Sequence, residues 1–264
     1  MTNPTIQSMI DTILDGMHTP RIRKTCDTVK TGDTSQTVTK IVTTFMATHA
    51  VIENAASLGA NFIITHEPTF YTHHDETDWL KGDPVYEAKR KLIDDNNIVI
   101  FRVHDHIHAH VPDGIIMGEL EALGWVEYAS EEHPAILTLP EMTVRELCTD
   151  IKDKLGVRNI RMIGDPEMTF TKAIFPVGAA GGDLHFQFLK EHDADVIICG
   201  ELNEWEASEY VRDANDQGCK KAILAIGHAN SEEAGMQWLT NWIQKRYPEL
   251  SITHIPSGDP FRIV

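Results

Sequence analysis

The sequence predicts an α/β fold, and three observations carry that prediction. Short apolar runs, among them Phe62-Ile63-Ile64, Ile98 to Phe101 and Leu224-Ala225-Ile226, alternate with stretches of helical periodicity. Glycine and Asp-Pro or Asp-Gly pairs punctuate the boundaries between them. Each of the three runs is followed by histidine and carboxylate side chains: His66-Glu67, the comb His104 to His110, and His228 with Glu232. Ligands of open α/β sheets collect beyond the carboxyl ends of strands, so the pattern that predicts the fold also predicts a site.

Taken in order, residues 4–16 place Ile6, Met9, Ile10, Ile13 and Leu14 at helical spacing, with Gly16 as a stop. The polar segment Lys24 to Gln36 reads as a loop or irregular hairpin, long enough for a lid or contact arm. A strand at Val38 to Met46, a helix from His49 to Leu58 closed by Gly59, and the strand Phe62 to Ile64 make a β-α-β-like unit. Asp83 and Pro84 open the helix Val85 to Asp95, as N-cap and first helical residue. That helix leads to a strand at Ile98 to Val103, and a further helix runs from Asp113-Gly114 to Leu123.

The turn-rich, acidic stretch Trp125 to Pro134 marks a domain boundary near Tyr128. Residues 1–127 together with 228–264 are expected to form a metal-site domain, with 128–227 as a second, inserted α/β domain. In the latter, strands are expected at Ala135 to Leu139, Arg158 to Ile163, Lys172 to Val177, Ala194 to Cys199 and Lys220 to Ile226. Helices fall at Thr143 to Leu155, with Thr143 and Glu146 in capping-box spacing, at Leu184 to Lys190 and at Asn203 to Asn215. Asn230 or Ser231 is expected to cap a helix through Trp242, with Glu232 in its first turn, and Ile252 to Ile255 is a last strand.

Composition narrows the function. A chain of 264 residues can bury a good core. A formal charge of −17 argues against contact with nucleic acid or anionic lipid, since a polyanion gains no counterion release from an acidic partner. The four cysteines are scattered without CxxC spacing, so neither a disulfide framework nor a thiolate zinc site is indicated. No stretch reaches the length of a membrane span and the start lacks a leader pattern, which points to the cytoplasm.

The comb FRVHDHIHAH puts histidine at every second position from His104 to His110. If extended, it points His104, His106, His108 and His110 to one side. A solvent face does not require histidine, and neutral imidazole is the commonest protein metal ligand. The rival reading is a histidine-rich surface loop, and for the extra His106 and His110 the surface is the preferred assignment. The turn Gly178 to Gly182 lacks both the Rossmann and the P-loop spacing, so its glycines are read as serving tight packing. Glu201, Glu204 and Glu206 read as a solvated helix start, with bracing of a metal ligand as the alternative.

His66, Glu67, His104, His108, His228 and Glu232 together offer enough nitrogen and oxygen donors for two divalent ions, with zinc, iron and manganese the best matched. A carboxylate can bridge two ions about 3.5 to 4 Å apart, and the pair brings a bridging water toward neutral pKa. The expected chemistry is hydrolysis of a small-molecule substrate by a metal-bound hydroxide. The alternatives are a non-enzymatic metal-binding scaffold that handles ions or regulates a partner, and an α/β protein whose clusters never meet.

The segments ITHEPTF, FRVHDHIH with PDGI downstream, VGAAGG followed by ADVIICGE, and AIGHANSEEAG resemble, in order and spacing across nearly the whole chain, the Nif-three-like family of dinuclear-metal-centre proteins. Members often carry the label type 2 homologue of GTP cyclohydrolase I. The resemblance implies two interlocked α/β domains, a dinuclear site in the cleft between them, and a toroidal hexamer. Carried over by position, the family's His-His pair falls on His66 and Glu67, its His-Thr-x-x-Asp on His104, Asp105 and His108, and its His-x-x-x-Glu on His228 and Glu232. One histidine has become a carboxylate and one aspartate a histidine. The exchange reads as compensated, with Glu67 taking the bridging role that position 108 has lost.

Overall fold

The apolar runs become the central strands of two sheets, one in each of two units. The structure, a computed structural model, describes residues 3–262 and 264. One unit comprises Met1–Gly114 and Met236–Ser257, the other Ile115–Gly235 and Gly258–Val264.

The first unit opens with α1 (Ile6–Gly16), whose N-terminus is capped by the Thr5 hydroxyl and whose buried face is Ile6, Met9, Ile10, Ile13 and Leu14. Then come β1 (Val29–Thr31), β2 (Ile41–Thr44), α2 (His49–Ser57), β3 (Phe62–Thr65), α3 (Pro84–Asp95), β4 (Val99–Arg102) and the single turn α4 (Asp105–His108). Asp83 accepts hydrogen bonds from the Val85 and Tyr86 amides, the N-cap that the Asp-Pro pair predicts. α5 (Gly114–Leu123) carries the chain into the second unit.

There the order is β5 (Ile136–Thr143), α6 (Val144–Leu155), β6 (Arg161–Ile163), β7 (Thr169–Ile174), α7 (Asp183–Glu191), β8 (Val196–Cys199), α8 (Ala207–Asp216) and β9 (Ala222–Ala225). The predicted capping box of Thr143 and Glu146 is formed. α9 (Glu233–Arg246) returns the chain to the first unit, which closes with β10 (Ile252–His254).

The first sheet runs β1-β4-β3-β2-β10 and the second β5-β7-β8-β9-β6. In the first, β10, β2, β3 and β4 are parallel and only β1 is antiparallel. In the second, the parallel trio β7-β8-β9 is flanked by antiparallel β5 and β6. Strands β2, β3, β4, β8 and β9 are buried at every position, as expected of parallel strands covered on both faces. Val42, Val51, Ile52, Ile63, Ile93 and Ile100 form one such layer between the first sheet and its helices.

Three expectations are corrected. Lys24 to Gln36 is no free lid: β1 pairs with β4, and Cys26 and Asp27 are buried. The histidine comb is not extended, because the chain turns into α4 directly after β4. Glu232 precedes α9 rather than lying in its first turn, since a 3-10 turn, Ala229–Ser231, intervenes. Asn230 and Ser231 accordingly bond back to the Ile226 and His228 carbonyls instead of capping that helix.

Candidate metal centre

Parallel register builds the first cluster. Thr65 stands opposite Arg102, so the residues that leave β3 and β4 emerge side by side, about one strand spacing apart. The rings of His66 and His104 stack with centroids 4.7 Å apart. The turn α4 then returns His108 to the same side, four residues after His104, with centroids 4.9 Å from His104 and 5.0 Å from His66. One nitrogen from each of the three imidazoles lies within 4.8 Å of the others.

Each ring is held through its other nitrogen. His66 Nδ1 lies 3.0 Å from the Val103 carbonyl oxygen, which can only accept, so Nδ1 carries a proton. His104 Nδ1 is 2.9 Å from Asp105 Oδ1, and His108 Nδ1 is 2.9 Å from Asp113 Oδ2. Burial, and then the neighbouring His66 and His108 rings, push His104 down to about 4, so it is neutral near pH 7. Burial raises Asp105, but hydrogen bonds from Thr25, His104 and the Cys26 amide outweigh it and hold the carboxyl well below its usual range. Three imidazoles anchored through Nδ1, with one nitrogen of each converging, form a donor set that could hold a divalent cation.

Glu67 shares this space. Its Oε1 lies 3.6 Å from His104 Nε2, while Oε2 accepts from Arg102 Nη2 at 3.1 Å. The fully buried Arg102 also donates to the His66 and His73 carbonyls at 2.8 and 2.6 Å, fixing the loop that carries His66 and Glu67. Asp27 performs the same service for the other wall. Its two oxygens accept from the amides of His104, Asp105 and His106 at 2.7, 2.9 and 2.8 Å, and from His106 Nδ1 at 2.7 Å.

His106 is therefore a buried brace, with its Nε2 accepting from the Ile22 amide, and not a surface histidine. His110 is buried too, stacked on His18 and bonded through Nδ1 to the Pro112 carbonyl. Alternation fails here because a helical turn sends the middle histidine inward. Cys26 lies between Asp27 and Asp105, its Sγ 3.7 and 3.6 Å from their oxygens. Burial pushes its thiol up to about 12, which keeps it protonated.

The second unit repeats the strand-end construction with different chemistry. Cys199 stands opposite Ala225, and the Gly227 amide bonds to the Gly200 carbonyl at 3.1 Å, so Glu201 and His228 leave β8 and β9 as neighbours. His228 Nδ1 is 2.8 Å from Glu201 Oε1, and His228 Nε2 is 3.1 Å from Glu232 Oε2. Glu201 thus braces His228, contrary to its assignment to a solvated helix start: α8 begins later, at Ala207. Glu204 pairs instead with Arg161 at the surface.

The glycine turn is a cradle for this pair. Gly178 has φ +65°, its amide donates to Ser231 Oγ at 2.9 Å, and a Cβ there would overlap the Glu232 carboxylate. A Cβ at Gly200 would strike the Gly178 carbonyl and Ser231 Oγ. The packing role read from sequence holds, and what is packed is the turn that carries His228 and Glu232.

The structure thus gathers His66, Glu67, His104 and His108 in one unit and His228 and Glu232 in the other. Sequence reasoning passed over Asp27, Arg102 and Asp113 as supports. Asp113 lay within the same motif, whereas Asp27 is 77 residues from the amide it holds and left no local signal.

Comparison with known proteins places this geometry in context. The model of the Duf34/NIF3 (NGG1p interacting factor 3) family matches residues 8–260. A Clostridium perfringens protein named GTP cyclohydrolase 1 type 2 homolog is 32% identical over 215 residues, 76% of each chain. The Escherichia coli K12 protein of that name is 28% identical over 231 residues, 85% of this chain and 87% of the relative. A Bacillus cereus protein related to NIF3 superposes with a TM-score of 0.77 at 17% identity over 100% of both chains, a likeness of fold. Among the described residues no helix is long and apolar enough to cross a membrane.

Proposed function

The chain belongs to the Duf34/NIF3 family, and from that premise we propose that it is a metal-dependent hydrolase of a small molecule. The ligands are His66, Glu67, His104, His108, His228 and Glu232, holding two divalent ions drawn from zinc, iron and manganese. One observation carries this reading: each of the four imidazoles in the set has Nδ1 beside an oxygen acceptor, the arrangement that orients a metal-ligating histidine.

When bound, such ions supply Lewis acidity and draw the pKa of water toward neutrality. The protein's own part is positional. Asp105, Asp113, Glu201 and the Val103 carbonyl hold the rings in orientation and tautomer, and Arg102 balances the buried charge of Glu67. The shared name of the relatives favours a nucleotide-like or heterocyclic substrate. The family likeness adds a cytoplasmic homo-oligomer, a hexamer, which light scattering tests directly.

A non-enzymatic metal-handling scaffold is the second reading, and the complete burial of His66 favours it, since a sealed ligand suits retention better than turnover. Elemental analysis of the wild type beside His104→Ala and His228→Ala tests the common premise. The expected result is about two equivalents of one metal per chain, with a sharp drop in both variants. Substoichiometric metal indifferent to both substitutions overturns it. Turnover that disappears on chelation and returns with that metal selects the hydrolase; metal exchange without turnover selects the scaffold.

A further inference from the structure

We infer that the cavity beside His228 in the second unit is a binding site for a planar heterocycle carrying an anionic group, with Phe261 as its stacking face and Arg262 as its anion contact. The cavity measures about 450 Å³ and is lined by Arg161, Leu202, Asn203, Ile226, His228, Phe261 and Arg262. That volume lies within the range of small-molecule sites, and the cavity opens beyond the carboxyl ends of β8 and β9, where α/β sheets bind ligands.

The C-terminal segment is fastened at this place. Asp259 accepts from the Phe261 amide at 2.8 Å with one oxygen and from Asn230 Nδ2 at 3.3 Å with the other. Asn230 in turn donates to the Ile226 carbonyl, so the segment is tied to the turn that carries His228. Phe261 is nevertheless 82% exposed, an aromatic face anchored through its backbone and left open.

The lining carries two carboxylates and two guanidinium groups: Glu201 is hydrogen-bonded to His228, Asp259 to the two neutral donors just named, and Arg161 is paired with Glu204. Arg262 makes no ion pair with any described residue and is the unspent charge. Leu202 and Ile226 give an apolar floor, and the Asn203 amide can both donate to and accept from a heterocycle's edge. His228 also lines the cavity, so a ligand seated there lies next to a proposed metal ligand. In that one respect the inference rests on the hydrolase reading; the pocket itself does not.

The test is calorimetric titration of the full chain with AMP, GMP, CMP and UMP, beside adenosine and ribose 5-phosphate as the separated halves. At least one nucleotide is expected to bind at least tenfold more tightly than either half. Arg262→Ala should weaken that nucleotide tenfold or more while leaving adenosine unchanged. Phe261→Ala should weaken the nucleotide and adenosine but not ribose 5-phosphate. Failure of every nucleotide to bind below millimolar concentration, or binding indifferent to both substitutions, overturns the inference.

Metal content measured on the same samples separates the two readings, because neither Phe261 nor Arg262 is among the proposed ligands. Nucleotide binding that depends on both residues in a protein without metal keeps the pocket and removes the hydrolase. Two equivalents of metal with no nucleotide binding does the reverse.

Discussion

The strand-end clusters of the two units are built by one rule and filled with opposite chemistry. In each, two adjacent parallel strands release their chains side by side, at β3 and β4 in the first and at β8 and β9 in the second. The first set is dominated by three imidazoles packed against one another, of which His104 is held neutral by burial and by the other two rings. The second holds one imidazole between two carboxylates, Glu201 and Glu232. Their supports differ as well. A buried aspartate from a distant loop organises the first, whereas glycine backbones and a serine hydroxyl form the cradle of the second. Parallel register supplies proximity, and the side chains beyond it decide what that proximity is for.

The largest effect is expected where the first support is removed. Asp27→Ala deprives three backbone amides and the His106 imidazole of their acceptor in a buried position. Losing one side of such a buried charged network costs about 3–5 kcal/mol, which urea denaturation reads directly. Asp27→Asn, which keeps one acceptor oxygen, should recover part of the loss. A cost below about 1 kcal/mol for Asp27→Ala, within the scatter of surface substitutions, would mean that α4 does not depend on this cap.

The corresponding change in the second unit is Gly178→Ala. The new methyl group collides with the Glu232 carboxylate, and φ +65° is unfavourable for a residue with a Cβ. Overpacking and backbone strain together should cost roughly 2–4 kcal/mol. Metal bound through His228 and Glu232 should fall with it, while the occupancy of the histidine cluster stays. Loss of both equivalents rather than one on elemental analysis would refute the idea that each cradle serves its own cluster.

How much of this was legible in sequence follows from the same contrast. Strand ends, helix caps and the His228–Glu232 spacing are local, so apolar runs and short motifs revealed them. The Asp83 cap and the Thr143–Glu146 box are formed as read. The geometry of FRVHDHIHAH was misread because alternation suits a strand, while Asp27 offers acceptors to three successive amides and so favours a helical turn. That acceptor reaches the comb only through the fold. Arg102 was invisible for a related reason: inside an apolar strand, its three acceptors are carbonyl and carboxylate groups of residues 66–73.

The two units should also answer pH in opposite senses. Burial and the His66 and His108 rings lower His104 from 6.5 to about 4, so the unfolded chain takes up this proton first. Its contribution in metal-free protein is complete above pH 6.5 and is lost as pH falls toward 4. Glu119, in α5, is raised from 4.5 to about 8 by burial, against hydrogen bonds from the Ala234 and Gly235 amides. Its contribution is complete below pH 4.5 and is lost as pH rises through 8. Each window should carry on the order of 1–2 kcal/mol after allowance for solvent relaxation. Glu119→Gln should flatten the alkaline limb of a plot of stability against pH and leave the acidic limb; the opposite pattern would reverse the assignment.

The smallest effect separates two ways of reading the first cluster. Cys26, His104 and Asp105 also lie close enough together to hold an ion, and a thiolate there would turn a histidine site into a mixed one. Against this, burial pushes the Cys26 thiol up to about 12, and its neighbours Asp27 and Asp105 disfavour a further negative charge. The thiol is a weak donor to both carboxylates, at 3.7 and 3.6 Å. Serine keeps a donor of similar size, so Cys26→Ser should change stability by less than about 1 kcal/mol. It should also leave the bound metal at the wild-type stoichiometry. A cobalt-substituted protein should show no thiolate-to-metal charge-transfer band in either form. Such a band in the wild type that disappears in Cys26→Ser would make the thiolate a ligand and move His104 from the imidazole trio to the site that Asp105 and Cys26 define.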